Sequence, residues 1–370
     1  MGREELLEKD RPLKILQMCS SSATSGAERH VFSLSQRLTH RGHDVHVLTP
    51  SPGWLPDILR GERIPVEYSH MKGTGYYRTI GRLVRQVRHG KFNVLHTHLT
   101  RAAYIGHIVG LLTDVPIISS VHIANNDQIY RRLARRRNRL VAVSNFVAGM
   151  LHGKGVPKQF IETVYNGTDF VDIPAADPNR VKDELGIPRD RNLVGLVGKV
   201  CADKGHIELI KAMRDVRMNH PQAHVVFVGL LEETFKDEME EALEEARLRD
   251  HVTLTGVRND IPRLLDSFTL STLPSRMETF GVAAIEAMAR SKAVVATRVG
   301  ALPEVVRHQQ TGLLVDLRPD EIAEAVSYLL ANGDEREEMG RRGRYVVEQK
   351  FTLSEMASRF EGVYRRAIDS

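Results

Sequence analysis

Several features that mark specialised protein classes are scarce in this sequence of 370 residues. Only two cysteines are present, Cys19 and Cys201, which are too few for a disulfide framework and suit a reducing compartment. The longest apolar stretches, such as 105–112, are interrupted by glycine and histidine and are much shorter than the roughly 18 residues that a membrane-spanning helix needs. Long low-complexity tracts are absent as well. These absences argue against a disulfide-rich secreted protein, a membrane-embedded protein and a disordered one.

The first ten residues also lack the pattern of a secretory signal peptide. Four acidic side chains, Glu4, Glu5, Glu8 and Asp10, stand where such a peptide needs an apolar core. Together with the low cysteine content, this pattern predicts a cytoplasmic protein.

Length and composition predict a two-domain globular protein instead. Apolar residues make up 42% and charged residues 27% of the chain, which is ample for sizeable cores. The formal net charge of +5 is unevenly distributed, because residues 1–175 contain 24 Lys and Arg against 14 Asp and Glu, whereas the remainder contains 28 against 33. The positive first half points to an anionic partner there, such as a membrane surface, a nucleic acid or a phosphorylated substrate.

Hydrophobic periodicity predicts two successive series of alternating strands and helices. The first series has strands at 14–18, 43–48, near 66, 92–96, 116–120, 139–143 and 161–165, and helices at 25–40, 76–89, 101–113 and 145–153. After turn-forming residues at 166–178, the second has strands at 193–197, 224–228, 252–255, 269–272, 293–297 and 312–315, and helices at 204–217, 232–248, 282–289, 320–331 and 335–349. A last helix is predicted at 353–368. This alternation is typical of α/β folds with parallel sheets covered by helices on both faces.

Ligands of open parallel sheets bind beyond the carboxyl ends of the strands, where loops lead into helices. The segment 25–28, which follows the first strand, contains Gly26 at the start of a predicted helix. Glycine lets a ligand approach the backbone closely, and a helix N-terminus offers free N–H groups for a phosphate or sugar. An ordinary tight turn into a helix would produce the same pattern.

The segment 198–205 follows the first strand of the second series. Its two lysines, Lys199 and Lys204, lie five residues apart around a loop, so each can bind one phosphate of a diphosphate. The segment matches neither the P-loop nor the dinucleotide-binding glycine pattern, which argues against both of those classes. Solvated surface lysines are the alternative interpretation.

The segment 274–289 is the most specific of the three. Glu278 and Glu286 lie eight residues apart across a strand-to-helix junction, and Gly281 and Val282 open the helix with unpaired N–H groups. Glu286 lies in an otherwise apolar helix, where a carboxylate needs hydrogen-bond donors such as the vicinal hydroxyls of a ribose or hexose. Capping of the helix dipole, with a solvated second glutamate, is the alternative.

These segments resemble the glycosyltransferases of family 4. The family's order is kept by the Gly26 loop, the strand ends 96–98 and 121–122, and the segments 165–169, 198–205, 274–289, 296–304 and 311–314. The resemblance spans nearly the whole chain and implies the GT-B fold, in which two Rossmann-like domains face each other across a cleft. It implies an acceptor-binding domain at residues 1–172, joined by a C-terminal helix at 353–370 that crosses back to it, and a nucleotide-sugar-binding domain at 173–352.

The resemblance also implies a reaction. Such enzymes transfer a sugar, with retention of anomeric configuration, from a nucleotide-diphosphate sugar such as a UDP-sugar to a glycan or lipid-linked acceptor. The products would be cell-surface polysaccharide, lipopolysaccharide or glycolipid. A transferase acting on a soluble sugar, a nucleotide-sugar epimerase of related fold, which would need no acceptor, and a non-catalytic binding module are the alternatives.

Carried over position by position, the resemblance assigns roles to individual residues. Lys199 and Lys204 would bind the donor diphosphate, Glu278 the hydroxyls of the transferred sugar and Glu286 the nucleotide ribose. Further donor contacts are implied for Gly198, Arg258, Phe280, Gly281 and Val282. His122 would contact the sugar near the reacting carbon and is, with Glu278, the predicted catalytic pair. Gly26 and His98 would line the acceptor side.

Some positions depart from the family's pattern. Lys199 stands where the family more often has arginine. The two parallel hydrogen bonds of a guanidinium are therefore replaced by the single ammonium charge of lysine. Ser25, Ser291, Ala293 and Ala301 replace residues that are usual in the family. These departures concern loop geometry and substrate choice rather than the reaction.

Catalysis without a metal ion or other cofactor is predicted. No two aspartates are separated by a single residue, so the Asp-x-Asp motif with which many sugar transferases hold a metal is absent. We expect front-face transfer, in which the leaving phosphate takes up the proton of the acceptor hydroxyl. Glu278 positions the transferred sugar and stabilises its developing charge. The alternative is a double displacement in which Glu278 attacks the anomeric carbon, but the sequence shows no second acid placed to assist it. His96 and His98 share one face of a strand and could ligate zinc, but the sequence reveals no third ligand.

The positive charge of the first half is concentrated in two places. One is a helix face formed by Arg78, Arg82, Arg85 and Arg88, and the other is the cluster of Arg131, Arg132, Arg135, Arg136 and Arg137. Tyr76, Tyr77 and Tyr130 flank them, as rings at a membrane interface would. We therefore predict peripheral binding to an anionic membrane surface, with solvated helix faces as the alternative. Nucleic acid is disfavoured, because aromatic stacking platforms are absent.

Overall fold

The structure is a computed structural model that describes residues 11–123 and 128–370. Glu4, Glu5, Glu8 and Asp10 lie outside the described residues. The chain divides into two compact units, the first comprising Met1–Asn166 and Leu353–Ser370 and the second comprising Gly167–Thr352. The domain boundary predicted after residue 172 falls a few residues beyond this division.

The first unit is built on a seven-stranded parallel sheet. Its strands are β1 (Lys14–Cys19), β2 (Asp44–Thr49), β3 (Val66–Tyr68), β4 (Val94–His98), β5 (Ile117–Val121), β6 (Arg139–Ala142) and β7 (Ile161–Thr163), in the spatial order β3-β2-β1-β4-β5-β6-β7. The helices between them are α1 (Gly26–His40), α2 (Trp54–Gly61), α3 (Gly75–Arg88), α4 (Thr100–Leu112), α5 (Ile129–Leu133) and α6 (Asn145–Gly153). Helix α1 buries Val31, Leu34 and Leu38, which recur at helical spacing on its inner face.

The second unit contains a six-stranded parallel sheet. Its strands are β8 (Asn192–Val197), β9 (Ala223–Val228), β10 (Val252–Leu254), β11 (Leu270–Leu273), β12 (Val294–Thr297) and β13 (Gly312–Val315), in the order β10-β9-β8-β11-β12-β13. Its helices are α7 (Pro178–Glu184), α8 (His206–Asn219), α9 (Lys236–Glu245), α10 (Ile261–Ser267), α11 (Val282–Ala289), α12 (Leu302–Val305), α13 (Pro319–Ala331) and α14 (Gly333–Lys350). Strands β8 and β9 are buried along most of their length, as expected of a sheet covered on both faces.

The last helix, α15 (Leu353–Asp369), belongs to the first unit. It buries Phe360 and Tyr364 in the same core as Ile15 of β1 and Leu34 of α1. The Tyr364 hydroxyl also lies 2.7 Å from Nδ1 of His96, a buried contact between the end of the chain and strand β4. The predicted return of the C-terminal helix to the N-terminal part of the chain is therefore confirmed.

Most predicted elements are present, and the differences have local causes. The helix predicted at 204–217 begins at His206, because Lys204 ends a 3₁₀ turn and Gly205 adopts a left-handed conformation with φ of 71°. The helix predicted at 232–248 is shorter, since a separate 3₁₀ turn occupies Glu233–Phe235. The short helices α2, α5, α7, α10 and α12 were not predicted, because four to eight residues carry too little periodicity.

Each sheet has one place where the strand order reverses. In the first sheet β1 lies between β2 and β4, and in the second β8 lies between β9 and β11. The loops leaving these strands diverge at the carboxyl end of the sheet and open a crevice in which ligands of such folds bind. Among the described residues, no helix combines the length and apolar composition needed to cross a bilayer.

Candidate functional site

Lys204 and Glu278 meet at the reversal point of the second sheet. Lys204 ends the short turn after β8, and Glu278 lies in the loop after β11. Nζ of Lys204 donates to Oε1 of Glu278, and the hydroxyl of Ser275 donates to the same oxygen at 3.0 Å. The Lys204 and Glu278 side chains are 28% and 13% exposed, so the pair is held by the protein and still open on one side.

Two glycines allow the loops to approach this closely. A β-carbon on Gly205 would lie 1.8 Å from the carbonyl oxygen of Pro274, and one on Gly300 would lie 1.9 Å from that of Glu278. The amide of Ala301 donates to the same Glu278 carbonyl at 2.9 Å. The backbone around Glu278 is thus fixed by the loop after β12 as well as by its own side chain.

The other predicted phosphate ligand, Lys199, is more exposed than Lys204. It follows Gly198 at the end of β8, and its Nζ lies 3.0 Å from Oε1 of Glu232. That carboxylate raises the pKa of Lys199 through a hydrogen bond. Since both side chains are well exposed, the pair is weak and Lys199 can exchange Glu232 for a phosphate.

Arg258 is occupied by two carboxylates. Its guanidinium donates to Asp260 at 2.7 and 2.8 Å and to Glu184 of α7 at 2.7 Å. These hydrogen bonds raise the pKa of Arg258. They tie the loop after β10 to α7 and leave the guanidinium fewer donors for the predicted contact with a base or phosphate.

Helix α11 points its N-terminus to the loop that carries Glu278. Gly281 precedes it in a left-handed conformation, with φ of 97°, and has no side chain with which to cap the amides of Val282 and its neighbours. The preceding Phe280 is buried, and its ring lies 5.7 Å from that of Phe351. Glu286 is half-buried on the next turn of the helix. The predicted ribose ligand and the first-turn amides therefore belong to one short helix.

Three histidines form a cluster at the reversal point of the first sheet. His98 ends β4, His122 directly follows β5 and His30 lies on α1. One ring nitrogen from each lies within 4.8 Å of the others, and Nδ1 of His98 is 3.4 Å from Nε2 of His122. His30 and His98 are buried, whereas His122 is partly exposed. His122 is thus the member that can contact a substrate.

The orientation of the His98 ring follows from a chain of hydrogen bonds. The Ser35 hydroxyl donates to the carbonyl of Val31 at 2.7 Å, so it accepts from the Gln17 amide nitrogen at 2.8 Å. The Gln17 amide oxygen then accepts from Nε2 of His98 at 2.9 Å, which leaves a lone pair on Nδ1 of His98. His98 is therefore buried with its Nε2 occupied, whereas the neighbouring His122 is partly exposed.

His30 is oriented in the same way. Its Nδ1 lies 2.8 Å from the amide oxygen of Asn166 and donates to it, so the lone pair is on Nε2. Burial lowers the pKa of His30 to about 4 and lowers the pKa of His98 and His122 well below the usual value. All three rings are neutral at physiological pH.

The alternative in which His96 and His98 share a zinc ion does not fit His96. The two rings share a face of β4, with centroids 4.0 Å apart. However, Nδ1 of His96 contacts Tyr364 and Nε2 contacts Ser120 at 2.8 Å, so both nitrogens are occupied. The third histidine that the sequence did not reveal comes from α1.

Gly26, the predicted acceptor-side glycine, is exposed at the first position of α1. A β-carbon there would meet no atom within 4 Å, and Gly26 is not among the glycines with positive φ. Neither packing nor backbone conformation among the described residues requires glycine at this position.

The basic segments are largely on the surface. Arg78, Arg85, Arg88, Arg131, Arg132, Arg136 and Arg137 are exposed, whereas Arg82 and Arg135 are half-buried. Arg82 lies 3.4 Å from Glu67, and Arg136 lies 3.0 Å from Asp114, so part of the charge is neutralised within the unit. Tyr77 is 75% exposed, but Tyr130 is only 4% exposed. The prediction that Tyr130 lies at an interface is wrong, because its ring packs inward.

The sequence did not reveal the residues that orient these groups. Ser275, Gln17 and Asn166 each hold a predicted or newly found site residue through one hydrogen bond. Thr297 of β12 adds a further layer, since its hydroxyl donates to the carbonyl of Ser275 at 2.6 Å. The position of Ser275 three residues before Glu278 was the one available signal; the other partners are distant in sequence.

Both parts of the chain match known protein families. Residues 24–171 match the family model described as Glycosyltransferase Family 4, and residues 177–346 match the one described as Glycosyl transferases group 1. The N-acetyl-alpha-D-glucosaminyl L-malate synthase of Bacillus anthracis is 25% identical over 352 residues, which covers 90% of this chain and 91% of that protein.

Solved structures share the fold of nearly the whole chain. A glycosyltransferase from Rickettsia africae has a TM-score of 0.89 at 20% identity and covers 97% of this chain and 100% of its own. Anabaena HepE, solved in complex with UDP and glucose, has a TM-score of 0.84 at 21% identity, with coverages of 94% and 98%. Because the two family models together account for most of the chain, the protein belongs to glycosyltransferase family 4 and is a glycosyltransferase with the GT-B fold.

Proposed function

We propose that this enzyme uses a nucleotide-diphosphate sugar as donor and binds it to the second unit through Lys204 and Glu278. One observation carries the proposal: a lysine and a carboxylate form a partly exposed pair at the carboxyl ends of β8 and β11. A diphosphate requires the cation, and sugar hydroxyls require the carboxylate. The complex of HepE with UDP and glucose supports a UDP-sugar as the donor class.

The neighbouring groups complete the proposed donor site. Lys199 releases Glu232 and binds the second phosphate, while the amides at the start of α11, around Gly281 and Val282, bind phosphate or sugar oxygens. Glu286, one turn further along the helix, accepts from the ribose hydroxyls. Gly198 and Phe280 contribute backbone groups, and Arg258 holds the loop beside the site through Asp260 and Glu184.

We propose a retaining, front-face mechanism. The bond between the anomeric carbon and the diphosphate oxygen breaks, and the acceptor oxygen forms its bond on the same face of the sugar. The acceptor's proton passes to the leaving phosphate, so the protein supplies no nucleophile. Lys204 and Lys199 neutralise the leaving diphosphate, and Glu278 stabilises the sugar as positive charge develops. His122, partly exposed at the end of β5, contacts the sugar near the reacting carbon.

We propose that the transfer step requires no divalent metal. The sequence contains no Asp-x-Asp motif, and the lysines provide the positive charge that a metal supplies elsewhere. Full turnover in the presence of a strong chelator is the expected result.

The acceptor is proposed to be a glycan or a lipid-linked sugar, bound on the first unit near Gly26, with the enzyme acting at the cytoplasmic face of a membrane. The exposed arginines of α3 and of the segment 131–137 support binding to anionic lipid. Cosedimentation with vesicles containing anionic lipid, but not with neutral vesicles, is the expected result at moderate salt. A transferase acting on a soluble acceptor would sediment with neither.

A donor panel tests the central proposal. UDP-, GDP- and ADP-sugars are compared by thermal shift, since a ligand at a hundred times its dissociation constant stabilises the folded protein by about 2.7 kcal/mol. The sugar that binds is then supplied with candidate acceptors, and the anomeric configuration of the product is read by NMR. Release of altered sugar without any acceptor would favour an epimerase, and no response to any nucleotide sugar would overturn the proposal.

A further inference from the structure

We propose that His30, His98 and His122 form a binding site for one divalent transition-metal ion of the zinc class in the first unit. The sites assigned above use His122 for a sugar and leave His30 without a role. Three imidazoles nevertheless converge from α1, β4 and the end of β5, with one nitrogen of each within 4.8 Å of the other two.

The spacing of two of the nitrogens already suits a metal. Nδ1 of His98 and Nε2 of His122 are 3.4 Å apart. Two nitrogens bound to tetrahedral zinc at 2.0–2.1 Å are separated by about 3.3 Å. One nitrogen of His30 lies within 4.8 Å of a nitrogen of each of the other two rings, and side-chain rotation on α1 can bring it closer.

The surrounding hydrogen bonds prepare the rings for coordination. Nε2 of His98 donates to Gln17, and Nδ1 of His30 donates to Asn166, so the opposite nitrogen of each ring keeps its lone pair. Donation of the second ring nitrogen to an amide or carboxylate oxygen is the usual arrangement around a metal-bound histidine. His122 can present its own lone pair by moving one proton from Nε2 to Nδ1, without any net release of protons.

A second observation points to a ligand at this place. His30 is 5% exposed, and its Nε2 has no hydrogen-bond partner among the described residues. A buried hydrogen-bond acceptor without a partner is energetically unfavourable. Most buried polar atoms in folded proteins therefore have a partner. This nitrogen is the one that the Asn166 contact leaves with a lone pair, so a metal ion would satisfy it.

The ligand set determines which metals bind. The cluster consists of three neutral imidazoles and contains no carboxylate. Imidazole suits zinc, copper, nickel and cobalt, whereas magnesium, calcium and manganese prefer oxygen ligands. We therefore expect Zn²⁺ and Co²⁺ to bind and Mg²⁺ not to bind. The fourth position stays open for water or an anion.

Metal binding has a consequence that rests on the proposed function. If His122 contacts the transferred sugar, a metal ion on its Nε2 prevents that contact. Zinc would then act as a reversible inhibitor of transfer.

The first experiment measures binding alone and needs no enzymatic assay. Tag-free, chelator-treated protein is titrated with Zn²⁺ by calorimetry and with Co²⁺ by visible absorption, which reports tetrahedral nitrogen coordination. One ion per chain is expected. His30→Ala and His122→Ala should each weaken binding at least tenfold, and Asn166→Leu should weaken it about tenfold by releasing the His30 ring. His40→Ala, which removes an exposed histidine on the same helix as His30, should leave binding unchanged.

Circular dichroism and the melting temperature establish that each variant is folded. A stoichiometry below one, or equal affinity in wild type, His30→Ala and His122→Ala, would overturn the site. The second experiment compares the zinc concentration that halves transfer with the dissociation constant. Binding without inhibition would overturn the inhibitory consequence while leaving the site intact. If the protein shows no transferase activity, that result contradicts the proposed function. The binding measurement still decides whether the metal site exists.

Discussion

Lys204 donates a hydrogen bond to Glu278 across 74 residues of chain, and the two residues are held by different strands of one sheet. Glu278 also accepts from Ser275, so its position does not depend on the lysine alone. A carboxylate held in this way can orient sugar hydroxyls while the lysine turns to a phosphate. Substitutions of Lys204 or Glu278 can therefore separate a loss of function from a loss of folding.

Glu278→Gln should lower turnover about a hundredfold or more, because the stabilising charge beside the reacting carbon is lost while the side chain keeps its shape. Nucleotide binding should change only a few-fold, since the lysines remain. Release of nucleoside diphosphate and thermal shift with the nucleotide measure the two effects. Glu241→Gln is the control, because Glu241 is an exposed carboxylate on α9 of the same unit. Normal turnover in Glu278→Gln would remove Glu278 from the mechanism.

Lys204→Gln should weaken binding of the nucleoside diphosphate about 10- to 100-fold, which is the loss expected for a hydrogen bond between charged groups. Lys211→Gln is the control, since Lys211 is exposed on α8 a few residues further along. Calorimetric titration with the diphosphate is the measurement. Equal affinity in the two variants would show that the diphosphate binds elsewhere.

Gly205→Ala should destabilise the second unit more than Gly186→Ala does. Both glycines have positive φ, of 71° and 67°, so both substitutions carry the left-handed penalty of about 1–2 kcal/mol. Only at Gly205 does the new β-carbon collide with a backbone oxygen, that of Pro274; Gly186 has open space. We expect an additional loss of about 1–3 kcal/mol in Gly205→Ala, read as a lower melting temperature. Equal melting temperatures would contradict the close approach of the two loops.

Acid should destabilise the second unit partly through His206. Burial lowers the pKa of His206 to about 4, against a hydrogen bond to the Cys201 carbonyl that raises it, while the charge of Lys204 lowers it further. Between pH 6.5 and 4 the unfolded chain therefore binds a proton that the folded chain does not. The contribution of His206 to the free energy of unfolding is therefore fully present above pH 6.5. It declines by at most about 3 kcal/mol as the pH falls toward 4.

His206→Phe tests this contribution, because a phenyl ring can pack against Phe227 and Phe235 as the imidazole does but cannot take up a proton. Melting temperatures are measured at several pH values between 7 and 4. The decline should be shallower in His206→Phe than in wild type, whereas exposed His40→Gln should follow wild type. Parallel curves for wild type and His206→Phe would assign the acid sensitivity to other groups.

Most of the donor half of the site could be predicted from the sequence. Glu278, Glu286 and Gly281 lie within one nine-residue segment, so their spacing along the chain already places them on one loop and helix. The lysine loop was equally visible, because a glycine-bounded turn follows a clear apolar strand. What the spacing left open was which lysine pairs with the carboxylate, and the structure assigns Lys204 to Glu278 and Lys199 to Glu232.

The histidine cluster was much less predictable. His98 and His122 were found separately as strand ends, but His30 looks like an ordinary helical residue and carries no motif of its own. It reaches the cluster because β4 and β5 are neighbours in the sheet and α1 follows β1, the strand beside β4. The prediction that Tyr130 lies at an interface was wrong for a related reason. Its position next to a basic segment does not reveal which way the ring points.

By itself, the sequence determined the alternation of strands and helices, the presence of a last helix, and the loops at which ligand-binding residues occur. Periodicity, glycine and charge are properties of short stretches, and they act through local backbone geometry. Only the tertiary structure decided that Lys204 meets Glu278, that His30 joins His98 and His122, and that Gln17 and Asn166 set the direction of the lone pairs. Those contacts depend on the order of strands in the sheet, which brings together side chains that are distant along the chain.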